Sequence, residues 1–111
     1  MMKASVLLTK PPLSTAHLTE ALRVSFMLAA LGHEVDFIMI DDGVFILLEQ
    51  GDGRFGKETL RMAENTENIH FHVHGGSFRR LLQNARLPEN YSIIGSEELS
   101  EKLISSKVLV F

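Results

Sequence analysis

The sequence predicts an α/β domain on a parallel sheet, and three observations lead there. Five short apolar runs alternate with stretches of helical character through short connections. The runs are mostly continuous rather than alternating, as strands are when helices cover both faces of a sheet. The chain has 111 residues, the size of one domain, and no linker, repeat or low-complexity tract divides it. Residues 1–111 are therefore read as a single domain.

Residues 5–9 (SVLLT) form the first strand, which Lys10, Pro11 and Pro12 close. Ser14 or Thr15 caps the helix that follows. Leu18, Ala21, Leu22, Ser25, Leu28 and Ala29 recur there at helical spacing, and Gly32 supplies the residue that ends it. Residues 35–40 (VDFIMI) are the second strand, ending in Asp41, Asp42 and Gly43. Residues 44–48 (VFILL) are apolar on every side and sit on a short helix after that turn. Residues 50–56 hold three glycines and form a loop. Residues 57–67 form a mostly polar helix with Leu60 and Ala63 inward. Residues 69–74 are the third strand, and 77–85 a helix with Ser77 as its N-cap. Residues 91–94 are the fourth strand, Ser96 caps a helix over 97–104, and 108–111 (VLVF) are the fifth strand.

Composition excludes several function classes. Net charge is −3 and no basic cluster exceeds Arg79 and Arg80, so nucleic acid is not expected as a direct partner. Cysteine is absent, which removes disulfides, thiolate nucleophiles, cysteine–zinc sites and persulfides from this chain. No apolar run reaches transmembrane length, and residues 4–8 are too short for a signal segment. A cytoplasmic protein without membrane contact is the expectation. The first helix and residues 44–48 carry more apolar surface than a domain this small buries easily, which predicts an oligomer.

Chemistry concentrates in residues 68–80 (NIHFHVHGGSFRR). His70, His72 and His74 alternate with Ile69, Phe71 and Val73, so the imidazoles share one face of a strand. Alternate strand residues lie about 6.6–6.8 Å apart, which places His70 about 13 Å from His74. One ion cannot take all three, since zinc–nitrogen bonds are about 2.0–2.1 Å. A pair, His70 with His72 or His72 with His74, is a weak metal candidate, and no cofactor is expected. Ligands of open α/β sheets bind beyond the carboxyl ends of the strands. By this reading that end gathers Lys10 and His17, Asp41 and Asp42, and His74, Gly75, Gly76 and Ser77. A small anion near Gly76 and Ser77 is one reading; a plain turn and helix cap is the other. His74 with Asp41 or Asp42 could also form a general-base pair, with Ser77 as nucleophile.

The order of these segments resembles a known family. A strand ends in Thr-Lys-Pro, a long helix runs into LGHEV (residues 31–35), and DFIMI leads into DDGVFILL (residues 36–48). A later strand enters a Gly-Gly-Ser turn, and VLVF closes the sheet. This is similar to the DsrE/DsrF-like sulfur-relay proteins, and within them to the TusC type. The resemblance implies a three-layer α/β/α sandwich on a five-stranded parallel sheet. It also implies a homo-oligomer, trimer or hexamer, or a hetero-oligomer with cysteine-bearing subunits. Related chains run from the third strand into a Val-Cys-x-x-Ser pattern, whose cysteine carries sulfur as a persulfide. Here the stretch reads Val73-His74-Gly75-Gly76-Ser77, with His74 where the cysteine would be. The resemblance thus implies an accessory chain without sulfur-transfer activity of its own.

Overall fold

The computed structural model describes residues 2–10, 15–51, 57–82, 87 and 90–111. Five strands pair in parallel in the order β4-β3-β2-β1-β5: β1 (Lys3–Leu8), β2 (Glu34–Met39), β3 (Ile69–His74), β4 (Tyr91–Ile94) and β5 (Lys107–Val110). The helices are α1 (Thr15–Ala30), α2 (Lys57–Glu64), α3 (Gly75–Leu81) and α4 (Ser96–Ile104), with a 3-10 helix at Asp41–Gly51. The α/β class and the five parallel strands are as expected, with strand bounds shifted by no more than two residues.

Strand order dictates where the helices lie. From β1 to β4 each crossover steps one strand in the same direction. Right-handed crossovers therefore put their helices on one face. The return from β4 across the sheet to β5 puts α4 on the other. Side-chain packing follows. Ala4, Val6 and Leu8, then Val35, Phe37 and Met39, then Ile69, Phe71 and Val73 are buried on the first face, where Leu18, Ala21, Leu22, Val44 and Ala63 join them. Phe37, Phe71 and Tyr91 are register partners, and their rings stack in series at 5.1 and 5.0 Å. The second face holds a smaller cluster of Leu7, Ile38, Ile94 and Leu99. The sandwich has three layers, and among the described residues one outer layer is the single helix α4.

Two glycines follow local geometry. Gly32 has φ of 88° and ends α1, with the His33 N–H reaching back to the Leu28 carbonyl at 3.0 Å. Gly43 is buried against β1, and a Cβ there would collide with the Leu8 carbonyl. This close approach explains the Asp-Gly-Val turn after β2. Asp41, at φ of 53°, takes the left-handed bend just before it.

Within residues 44–48, Val44, Phe45 and Leu47 are less of a surplus than the sequence suggests. Val44 and Leu47 are buried and Phe45 packs on the core. The expected short helix is the 3-10 helix. Exposed apolar side chains lie elsewhere, at Met27 on α1 and Leu31 just after it, and around β5 at Ile104, Val108, Leu109 and Val110. β5 also corrects the expectation that every strand is covered, since all four of its residues are exposed. Pro11, Pro12, Ser14, residues 52–56 and 83–85, and the side chains of Thr15, Leu48 and Leu60 lie outside the described set. Among the described residues no helix is long and apolar enough to cross a membrane.

Candidate functional site

Where neighbouring strands send their connections to opposite faces, a crevice opens at their carboxyl ends. In this sheet the neighbours are β3, followed by α3, and β4, followed by α4. His74, the last residue of β3, lies at this seam. Its Nδ1 accepts the Ser77 backbone N–H at 3.2 Å and lies 2.9 Å from Ser77 Oγ. Its Nε2 lies 3.1 Å from Ser96 Oγ. Nδ1 is thus an acceptor, the proton of the neutral ring is on Nε2, and Nε2–H donates to Ser96. His74 is the N-cap of α3, with φ −67° and ψ 118°.

Two sequence expectations are corrected here. Ser77 does not cap α3; β3 runs straight into the helix, which begins two residues earlier at Gly75. Ser96 does not cap α4; Gly95 occupies the N-cap without a side-chain bond, and the Ser96 hydroxyl turns to His74. Ser77 is buried, and its Oγ accepts the Asp41 backbone N–H at 2.9 Å. It therefore joins three segments rather than presenting a nucleophile.

The glycines serve this packing. A Cβ on Gly75 would meet Ile93 Cγ2 at 3.0 Å, and one on Gly76 would meet His74 Cε1 at 3.1 Å. The room expected for a ligand is taken by Ile93 and by the imidazole itself. Asp41 turns its carboxylate to Arg80 at 3.7 Å, and both groups are exposed. The expected His74–Asp pair does not form, because both ring nitrogens are engaged by serines. Asp42 is exposed beside Asp41, Lys10 is exposed after β1, and His17 is half-buried on α1. Among the described residues no hydrogen bond joins Lys10, His17 or Asp42 to His74 or Ser77.

The other two histidines belong to a ladder on the α4 face. His70 Nε2 lies 3.4 Å from Glu34, and His72 Nε2 lies 2.7 Å from Asp36. The register pairs Asp36 with His70, so each imidazole reaches the acid one rung nearer the strand start. Lys102 of α4 closes on Asp36 at 3.5 Å. Burial raises the Asp36 pKa, but the His72 hydrogen bond and the charges of His72 and Lys102 outweigh it and hold the carboxyl below its usual range. His72 Nδ1 is buried without a hydrogen-bond partner among the described residues. The ladder lines an open groove of about 780 Å3 that also touches Lys3 and Ser92. The histidines do not converge, and no group of three His, Asp or Glu among the described residues could hold a metal ion. The acid partners had a sequence signal: Glu34 and Asp36 share the period of two seen at His70 and His72.

Together these features define a parallel five-stranded α/β protein whose strand-end crevice is closed by an imidazole. The chain belongs to the DsrE/DsrF-like family, whose model matches residues 2–111. The crystal structure of the YchN protein from E. coli superposes with a TM-score of 0.78, covering 100% of both chains at 17% identity. That likeness is one of fold. No curated protein matches the sequence.

Proposed function

We propose that this chain is a non-catalytic, accessory DsrE/F-like subunit of a cytoplasmic sulfur-relay assembly, of the TusC type. It assembles with itself or with a cysteine-bearing relative. One observation carries this reading. Both ring nitrogens of His74, which by the resemblance stands where the family's cysteine would be, are spent on Ser77 and Ser96. An imidazole cannot hold a persulfide sulfur, and the chain offers no thiol anywhere else. The position is used to join α3 to α4. Its role is then to shape an assembly in which another chain carries sulfur.

The test is intact mass after incubation with a sulfane-sulfur donor, with the untagged protein also purified from its source. The expected result is no added sulfur on this chain and recovery with a cysteine-bearing family member or with further copies of itself. A stable adduct of one sulfur atom overturns the reading. The alternative of a small-anion or metal site at His74–Ser77 finds less support, since these groups satisfy one another.

A further inference from the structure

Exposed strand edges commonly carry charges, prolines or bulges that discourage pairing with another chain. In β5 only Lys107 does so, and Val108, Leu109 and Val110 follow it, all exposed. Val110 is 64% exposed. One side of β5 is taken by β1. The Phe111 N–H reaches the Leu7 carbonyl at 2.8 Å, and the Phe111 carbonyl receives the Thr9 N–H at 2.7 Å. Backbone direction alternates along a strand, so Leu109 also faces β1. The N–H and C=O groups of Val108 and Val110 then point outward from the sheet.

We propose that two copies of this chain pair through antiparallel β5 strands about a two-fold axis at Leu109, joining two sheets into one. The inference rests on the self-assembly arm of the functional reading. Its first support is register. A centre at Leu109 sets Val108 opposite the second copy's Val110, and Val110 opposite its Val108. All four residues have outward-facing groups, so each pair exchanges both hydrogen bonds. Leu109 meets its own counterpart in a non-hydrogen-bonded pair, where Cα atoms approach to about 4.5 Å. The second support is apolar surface on both faces. Val108 and Val110 are in register with Ser5 and Leu7 on the α4 face, and Leu109 with Val6 on the other. The third is charge. The antiparallel pair puts the two Lys107 side chains at opposite ends, whereas a parallel pair would lay them side by side. A strand from an unrelated protein would satisfy the same backbone groups; a second copy is favoured because it brings matching apolar side chains to Val108, Leu109 and Val110 while keeping the two Lys107 charges apart.

A two-fold contact builds a dimer or a dihedral hexamer, not a lone trimer. Sedimentation of the full chain is expected to give an even multiple of its 12.4 kDa mass. Val110→Pro removes an outward N–H and none that faces β1, so it is expected to halve that native mass. A trimeric or monomeric wild type, or an unchanged mass in the folded variant, overturns the pairing. The cysteine-free background gives a second measurement that does not depend on that variant folding. Leu109→Cys is expected to form an interchain disulfide under mild oxidation far faster than Met27→Cys, whose site is 59% exposed on α1. Equal rates overturn the pairing. None of these outcomes bears on sulfur acceptance, which the donor experiment reads separately.

Discussion

His72 Nε2 and Asp36 Oδ1 stand 2.7 Å apart on neighbouring parallel strands, and Lys102 closes on the same carboxylate from α4. The carboxyl titrates below its usual range in the folded protein. Its contribution to stability is therefore present above the unfolded pKa of about 3.9 and is lost as pH falls through the lower folded value. Urea unfolding followed from neutral pH down to pH about 3 should show this loss, and Asp36→Asn should flatten it. At neutral pH the same substitution should cost about 1.5–3 kcal/mol, the range for a hydrogen bond to a charged group.

Tyr91 gives the opposite slope. Its hydroxyl donates to Glu64 at 2.7 Å, and burial together with this hydrogen bond raises the phenol far above its ordinary value. A raised folded pKa contributes stability below the unfolded value, near 10, that is lost as pH rises beyond it. Thermal melts across pH about 9 to 11 should fall for the wild type and change less for Tyr91→Phe.

Gly43 and Gly32 separate two kinds of glycine requirement. A Cβ at Gly43 runs into the Leu8 carbonyl, whereas one at Gly32 meets nothing within 4 Å and suffers only from its φ of 88°. Gly43→Ala should therefore cost about 3 kcal/mol or more, because backbone must shift. Gly32→Ala should cost about 1 kcal/mol. Similar losses for the two in chemical denaturation would contradict the packing argument.

His74→Ala removes the α3 cap and should destabilise the chain by about 1 kcal/mol, read by chemical denaturation. His74→Asn keeps a side-chain acceptor and should recover most of that loss. His74→Cys puts a thiol at the end of β3, where the proposed reading places the family's sulfur carrier. That variant should gain one sulfur atom from a sulfane-sulfur donor while the wild type does not. Failure of the folded variant to do so would show that more than one residue separates this chain from a sulfur carrier.

The sheet was legible because its strands are apolar runs bounded by proline, glycine and aspartate. Gly32 ended α1 as its position implied. The site was legible only in location. Strand period placed three imidazoles on one face, but their partners lie on β2 and α4, and pairing across a sheet needs a register that no single strand carries. The caps of α3 and α4 were misread for a related reason. Serine at a helix start usually caps, and only the seam between β3 and β4 turns Ser77 and Ser96 toward His74. β5 looked like any buried apolar strand; its exposure follows from lying beyond β1, where neither helical layer covers it.

The pairing of Ala4 with Lys107 and of Leu7 with Val110 joins opposite ends of the sequence. The remaining strands add one neighbour at a time, each within a single crossover. Closing β5 onto β1 carries the largest loop entropy of any strand pair, so it belongs late in folding. During synthesis the ribosome releases β1 long before β5 exists. Until then β1 keeps that edge unpaired, and an unpaired strand edge is where a nascent chain is prone to aggregate.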